Sequence, residues 1–247
     1  MSEKTLRICH LYPDLLNLYG DRGNILCMRR RLEWRGIDAE VTEVTVGQQA
    51  DFTQFDLFFI GGGQDFEQEV LLSDLKAGKG SEIKAAIADG KTFLTICGGY
   101  QMLGSYYRTW DGKQCDFIGA IDYYTVGAQE RMIGNTLFEC LPESGGSTVV
   151  GFENHSGKTY LGSGVSPLGK MLIGGGNNGE DGFEGVRYQN VFGTYSHGPA
   201  LPKNPAFCDH LLTTALHGRY PELELQPLDD AAERAAHDTM VQRLTEK

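Results

Sequence analysis

Short apolar runs alternate with helix-like segments through the first hundred residues, and this alternation constrains the fold more than any other feature. Apolar, strand-like runs cover residues 6–11, 39–46, 56–60 and 92–96. Between them, Ile25, Met28 and Leu32 recur at helical spacing ahead of Gly36, and residues 81–89 suit a short helix. Strands that alternate with helices pair in parallel, because each helix carries the chain back along the sheet. We therefore predict an α/β fold with a mostly parallel central sheet.

The second half of the chain has a different pattern. From about residue 117 to 194, clusters of Gly, Asn and Ser separate short alternating runs such as 148–152 and 186–188. This pattern is typical of antiparallel or mixed β structure with hairpins. Residues 177–182 (NNGEDG) are expected to form a surface loop. An added antiparallel or mixed β region is therefore predicted beside the parallel sheet.

The last forty residues indicate helices. Residues 204–220 favour a helix after a proline-rich entry, and residues 229–247 a charged terminal helix that faces solvent or a partner. The chain shows neither an internal repeat nor a convincing linker. We predict one domain that spans residues 1–247.

Charge and hydropathy exclude several classes of function. The chain has 22 Lys and Arg against 33 Asp and Glu, a formal net charge of −11. Binding to nucleic acid or anionic lipid requires basic patches, which this balance disfavours. No apolar run approaches the roughly 20 residues of a membrane span, and the N-terminus has no signal-peptide pattern. A cytoplasmic location is expected.

The six cysteines are scattered, with no CxxC pair and no recurring spacing. This distribution fits neither a disulfide scaffold nor a zinc site, and no HExxH pattern occurs, so we expect no metal. Free thiols in a reducing compartment are expected for Cys9, Cys27, Cys115, Cys140 and Cys208.

Cys97 is the exception, because it follows a buried strand at once and precedes two glycines (TICGGYQMLG). This is the pattern of a nucleophile elbow, a tight strand-to-helix turn that projects one reactive side chain. The N-terminus of the following helix would stabilise a thiolate, and the N–H of Gly98 would face a developing oxyanion. A buried structural cysteine beside a glycine turn is the alternative.

Three glycines, Gly61 to Gly63, follow the central strand in the run FFIGGGQD. They place backbone N–H groups at the carboxyl edge of the sheet, where α/β proteins bind ligands. The run lacks a GxGxxG pattern and a following Lys, so a second oxyanion donor is favoured over a phosphate loop. Gly90-Lys91-Thr92 imitates the end of a Walker A motif but precedes its strand, so no ATP site is predicted in this chain.

His197 lies among small residues at the end of a short strand (GTYSHGP), which suits a general base that opens onto a cleft. His155, in GFENHSG, is the strongest competitor. Only the fold can bring His197 to Cys97, a hundred residues earlier.

Together, GGGQD, TICGGYQMLG and GTYSHGP resemble the class I (triad-type) glutamine amidotransferases, in particular their cobyric-acid-synthase-like branch. The segment LYPDLLNLYGDRGN, residues 11–24, is similar to GatD-type glutaminase subunits of lipid II isoglutaminyl synthases. The resemblance implies a flavodoxin-like three-layer sandwich and hydrolysis of L-glutamine to glutamate and ammonia. It also implies a heterodimer with a Mur-ligase-like synthetase subunit that binds ATP, Mg²⁺ and lipid II and amidates the α-carboxylate of D-glutamate. No cofactor is expected in this chain.

The resemblance also assigns roles to individual residues. Cys97 matches the nucleophile and His197 the acid and base. Arg131 matches an arginine that contacts the substrate, and Gly62, Gly98 and Gln101 are further expected substrate-binding residues.

One position departs from the wider class, in which a Glu follows the His by two residues and orients the imidazole. Here that position is Pro199. No other carboxylate partner for His197 is identifiable from the sequence, so we expect the synthetase subunit to contribute one in trans.

Rival interpretations remain at this stage. The acceptor of the ammonia could be a corrinoid, as in the cobyric acid branch. A cysteine peptidase of the same superfold would use a similar elbow with an open peptide groove, and a non-catalytic module would leave Cys97 inert.

Overall fold

The computed structural model describes residues 4–63 and 65–246, so Gln64 of the glycine-rich run lies outside the described residues. Its strands are β1 (Thr5–Leu11), β2 (Asp38–Val44), β3 (Leu57–Ile60), β4 (Thr92–Ile96), β5 (Tyr106–Arg108), β6 (Gln114–Asp116), β7 (Tyr123–Cys140), β8 (Thr148–Leu161), β9 (Gly169–Ile173), β10 (Phe183–Glu184), β11 (Val186–Tyr188) and β12 (Val191–Thr194). Its α-helices are α1 (Arg22–Glu33), α2 (Asp65–Asp74), α3 (Gly80–Ala88), α4 (Gly98–Gln101), α5 (Pro205–His217) and α6 (Ala231–Thr245). A π-helical segment, Leu75–Lys79, joins α2 to α3.

The first sheet has the strand order β11-β12-β4-β3-β1-β2. Neighbouring strands from β12 to β2 are parallel, and β11 pairs antiparallel with β12 at the edge. Every residue of β3, β4 and β12 is buried, which requires cover on both faces of the sheet and explains their continuous apolar runs. The predicted α/β fold with a mostly parallel sheet is confirmed.

The second sheet is built on a long hairpin. β7 and β8 pair antiparallel, with a shift in register between Gly127 and Met132. β9 and β10 extend the sheet antiparallel from one end of β7, and β5 pairs parallel with its other end, both on the edge of β7 opposite β8. The added mixed β region predicted for the second half is confirmed.

Residues 177–182 were expected at the surface, but the first two are buried. The side chain of Asn177 bonds both the N–H and the carbonyl of Gly185, at 2.9 Å each, and accepts a hydrogen bond from Tyr100. Asn178 donates to the Thr159 carbonyl. Residues 179–182 are exposed as predicted, but the prediction was wrong for the two asparagines because their amides satisfy buried backbone groups, a role that composition alone does not distinguish from a solvated turn.

The helices predicted near the C-terminus are α5 and α6. α6 is described along its whole length and buries none of its residues. It is attached through Asp230, which accepts hydrogen bonds from Arg31 of α1. Among the described residues, we find no helix with both the length and the apolar character needed to cross a membrane.

Candidate active site

The predicted functional residues meet where the carboxyl ends of the parallel strands face the second sheet. Cys97 follows β4, the glycine loop follows β3, and His197 comes shortly after β12. The N–H of His197 donates to the Phe152 carbonyl of β8, which joins the two sheets at this point. Ligands of α/β proteins bind at this edge of the sheet.

Cys97 occupies the strained turn that its neighbours predict. Its backbone has φ 49° and ψ −107°, a conformation that residues other than glycine rarely adopt. Its N–H donates to the Thr194 carbonyl at 2.8 Å, so β12 holds the turn in place. The helix that follows, α4, is a single turn, so its dipole contributes less than a long helix would.

The small residues around Cys97 are required by close contact between backbone segments. A Cβ on Gly99 would lie 2.7 Å from the Gly61 carbonyl oxygen. A Cβ on Gly98 would lie 3.3 Å from the nitrogen of Gly63. The two glycine-rich turns are therefore adjacent, as expected if both contribute N–H groups to one oxyanion.

Asp21, which sequence analysis did not identify as functional, lies against His197. The His197 Nδ1 atom is 3.4 Å from both carboxylate oxygens of Asp21, and neither side chain has any exposed surface. Because Nδ1 faces the carboxylate, Nε2 is the nitrogen left for Cys97. Gly62 lies among the three side chains: a Cβ there would be 2.5 Å from His197 Cε1, 3.2 Å from Asp21 Oδ2 and 3.3 Å from Cys97 Cβ.

This geometry corrects the expectation of a carboxylate supplied in trans. Asp21 precedes α1, and its segment is fastened to the glycine loop, since Leu18 N–H donates to the Gly62 carbonyl. Pro199, at the position where a Glu was sought, packs against α1, so closely that a Cβ on Gly23 would meet its ring at 2.4 Å. The turn before α1 thus delivers a carboxylate to His197 from another part of the chain. No signal in the sequence distinguishes Asp21, because the run GDRGN around the start of the helix is typical of an ordinary loop.

The pKa of His197 is raised from 6.5 to about 10. Burial alone would lower it, but hydrogen bonds and charge interactions with Asp21 and Cys97 outweigh that effect. The imidazole is therefore protonated at neutral pH and can stabilise a thiolate or donate a proton to a leaving group.

Gly62 itself is not an oxyanion donor, which corrects its expected role. Its N–H donates to Asp21 Oδ2 at 2.7 Å, so it positions the carboxylate instead. Gly63, the next residue, lines the cavity beside Cys97. The pair of N–H groups best placed for an oxyanion is that of Gly98 and Gly63.

A cavity of about 420 Å³ opens above Cys97. Cys97, Gln101, Arg131 and His197 all line it, so the structure brings these predicted site residues together. Its walls also include Leu18, Tyr19, Gly63, Tyr107, Asn154, His155, Ser156 and Gly157. The volume suits a small polar molecule.

Arg131 lies on β7 at the side of this cavity. Its Nε donates to the side-chain oxygen of Asn154 at 2.8 Å, and its Nη2 to the Asn154 carbonyl at 2.9 Å. Gln101 donates to the hydroxyl of Tyr195 at 3.0 Å. Both side chains are thus held in place at the cavity wall.

His155, the competing histidine, forms part of the cavity wall, but its ring is held by neighbouring residues and does not take the base role. Its Nδ1 bonds the Gly157 carbonyl at 2.8 Å, and its Nε2 lies 3.7 Å from Glu153. Its ring stacks on that of Tyr195. Within residues 4–63 and 65–246, no group of three or more His, Cys, Asp and Glu side chains is arranged to hold a metal ion.

Comparisons with known proteins identify the family of the chain. Residues 7–205 match the CobB/CobQ-like glutamine amidotransferase domain family. The chain is 42% identical over 238 residues to the lipid II isoglutaminyl synthase (glutamine-hydrolysing) subunit GatD of Staphylococcus aureus, covering 96% of each chain. It is 41% identical to the same subunit of Streptococcus pneumoniae, over 91% of this chain and 86% of the relative.

More distant matches extend the relationship. A cobyric acid synthase of Clostridium botulinum is 32% identical over 62% of this chain, which corresponds to 32% of that enzyme. Among solved structures, a glutamine amidotransferase from Thermotoga maritima superimposes with a TM-score of 0.57 and 16% identity, over 98% of this chain and 99% of the other. At that identity the likeness shows a shared fold, the flavodoxin-like fold expected from the sequence.

Proposed function

The chain belongs to the CobB/CobQ-like glutamine amidotransferase family, and from this premise we propose that it is the glutamine-hydrolysing subunit of a lipid II isoglutaminyl synthase. The observation that carries the proposal is the convergence of Cys97, His197 and Asp21 around Gly62 at the cavity. A nucleophile, an acid and base, and an orienting carboxylate are the parts that amide hydrolysis through a thioester requires.

The reaction uses these groups in order. The Cys97 thiolate attacks the side-chain carboxamide of glutamine, and the N–H groups of Gly98 and Gly63 stabilise the oxyanion. His197, protonated at neutral pH, donates its proton to the departing ammonia. The neutral imidazole then accepts a proton from water as the water attacks the thioester, which releases glutamate and restores Cys97. Asp21 orients the imidazole throughout.

Arg131 and Gln101 bind the other end of the substrate in this proposal. A guanidinium holds a carboxylate through paired hydrogen bonds, and Arg131 lines the cavity that contains Cys97. The α-carboxylate of glutamine would therefore lie toward β7 and its carboxamide toward Cys97.

The partner and acceptor are proposed from the relatives. Two GatD subunits align with nearly the whole chain, whereas the chain spans about a third of the cobyric acid synthase, so lipid II is favoured over a corrinoid acceptor. We propose a Mur-ligase-like synthetase subunit that holds ATP and Mg²⁺ and receives the ammonia. A reducing, cytoplasmic location fits the six free cysteines.

Incubation with L-glutamine tests the proposal. Ammonia and glutamate should form in equal amounts, alone or with the synthetase subunit. Cys97→Ala should lower the rate about 10³-fold or more, since no other group can form the thioester. The matched control is Cys115→Ala, which changes a half-buried thiol away from the cavity. Cleavage of casein in place of glutamine would indicate a peptidase, and inertness toward both, even with the synthetase subunit present, would indicate a binding module.

A further inference from the structure

A continuous line of contacts joins Arg131 to His197 through Tyr19 and Asn154. The family comparison and the mechanism above leave both of these intermediate residues without a role. They line the same cavity as Cys97.

Tyr19 is held over the site by its backbone. It lies in the 3₁₀ turn Leu18–Gly20 with φ 54°, and this turn is fastened to Gly62 at both ends, through Leu18 and Asp21. A tyrosine in the left-handed region is uncommon, and such strain persists only where the surroundings enforce it. The turn thus projects the ring into the cavity mouth, where it stays 43% exposed.

The ring of Tyr19 covers the catalytic imidazole. It meets His197 edge to face, with the ring centroids 4.9 Å apart, and rests on Phe152 in the same manner at 5.9 Å. His197 has no exposed surface although it borders the cavity. Tyr19 therefore helps to exclude water from the imidazole and to set the plane of its ring.

The hydroxyl of Tyr19 leads to the substrate end of the cavity. It accepts a hydrogen bond from Asn154 Nδ2 at 2.5 Å. The side-chain Oδ1 atom of Asn154 accepts a hydrogen bond from Arg131 Nε at 2.8 Å. The backbone carbonyl of Asn154 accepts a second one from Arg131 Nη2. Asn154 takes up two of the five guanidinium N–H groups of Arg131 and leaves the others for a carboxylate, so Asn154 sets the orientation in which the arginine receives its ligand.

We propose that Tyr19 and Asn154 are positioning residues that couple binding of the substrate carboxylate at Arg131 to placement of the Tyr19 ring over His197. The inference rests on the proposed function, because it takes Arg131 as the carboxylate anchor. The consequence is selectivity for substrates with an α-carboxylate. An amide or electrophile that lacks this group does not bind Arg131 and so does not act on Tyr19 through Asn154; we call this line of contacts the relay.

Chemical labelling of Cys97 distinguishes reagents that carry an α-carboxylate from reagents that lack one, and it does not require turnover. The glutamine-shaped diazoketone 6-diazo-5-oxo-L-norleucine carries the carboxylate, whereas iodoacetamide alkylates the same thiol and carries none. For Tyr19→Phe we expect the second-order labelling rate with the diazoketone to fall about fivefold, the effect of one lost hydrogen bond, and for Asn154→Ala, which removes two, to fall at least as much. The rate with iodoacetamide should stay within about twofold of the wild type, as the ring or its support remains.

Steady-state kinetics of glutamine hydrolysis supply the second readout. Tyr19→Phe should raise KM more than it lowers kcat, and Tyr19→Leu, which removes the ring, should lower kcat and shift the pH profile of kcat. Tyr124→Phe and Asn135→Ala, exposed residues outside the cavity, are the matched controls. Equal changes with both labels, or wild-type behaviour of the three variants, would overturn the relay while leaving glutamine hydrolysis intact. Failure of the wild type to react with the diazoketone would instead overturn the proposed function.

Discussion

At the scale of single residues, the site depends on strained backbone and on very close contacts between its residues. Cys97 has a positive φ, and a Cβ on Gly62 would overlap the ring of His197. Such strain is tolerated because β12 and the turn before α1 hold the surrounding backbone. The chemistry of each side chain therefore depends on neighbours that are distant in sequence.

Asp21→Asn tests whether the orienting carboxylate belongs to this chain. The amide has almost the same shape, but it cannot balance the imidazolium and can hold the imidazole in the wrong tautomer, so kcat should fall about 10²-fold or more. Glutamine hydrolysis should be measured for the isolated chain and for the complex with the synthetase subunit. Asp14→Asn, an exposed residue of the same loop, is the control. If the complex kept full activity with Asn at position 21, a partner carboxylate would have to act on His197.

Arg131→Ala should weaken glutamine use about 10-fold or more in kcat/KM, because the guanidinium would no longer hold the α-carboxylate. Arg243→Ala, on the exposed face of α6, should have no comparable effect. Steady-state ammonia release measures both variants. Unchanged kinetics for Arg131→Ala would show that this residue has only a structural role on β7.

At the scale of elements, a buried carboxylate links β10 to the segment that carries His197. Glu184 accepts hydrogen bonds from the Thr194 hydroxyl and the Tyr195 N–H. Burial raises its pKa from 4.5 to about 7, against the opposing effect of these bonds. Since the folded state holds its proton more tightly than the unfolded state, this group's stabilisation is complete below pH 4.5 and is lost as the pH rises through about 7.

Glu184→Gln should remove that dependence, because the amide oxygen accepts the same two hydrogen bonds and does not ionise. The free energy of unfolding of the variant, relative to the wild type, should rise by up to about 3 kcal/mol between pH 4.5 and 8. Urea denaturation at several pH values measures the difference. Glu180→Gln, at an exposed position of the preceding loop, serves as the control. A difference that did not vary with pH would show that Glu184 titrates normally.

At the scale of the whole molecule, one arginine joins three helices that have few other contacts in common. Arg31 of α1 bonds both carboxylate oxygens of Asp209 in α5 and both of Asp230 ahead of α6, at 2.7 to 2.8 Å. Its side chain is only 3% exposed. The terminal helix, which buries none of its residues, is therefore attached by this ion pair together with His237, whose ring bonds the Thr148 hydroxyl and the Lys203 carbonyl.

Arg31→Ala should lower the free energy of unfolding by about 2 kcal/mol or more, because it removes the guanidinium partner of Asp230 and leaves Asp209 with Arg35 alone. Arg30→Ala removes a surface pair with Glu33 and an exposed contact with the Trp34 ring, and should cost about 1 kcal/mol or less. Limited proteolysis should also release α6 sooner from the Arg31 variant. Equal stability of the two variants would show that α6 is held in another way.

The sequence alone predicted the parallel sheet, the mixed second half, the elbow at Cys97 and the importance of His197. These features are encoded locally: apolar periodicity specifies strands and helices, and a strand that ends in Cys-Gly-Gly leaves few conformations for the turn. The family resemblance added Arg131 and Gln101, both of which line the cavity.

Only the tertiary structure decided how those parts are completed. Asp21 lies 176 residues from His197 in a run that is indistinguishable from an ordinary loop, and Gly62 gives its N–H to that carboxylate and not to substrate. The burial of Asn177 likewise depends on the backbone of Gly185, which the alternating pattern does not reveal. The reason is physical: periodicity records which face of an element is buried, whereas the partner of a buried polar group is set by which loops the fold brings to the same edge of the sheet.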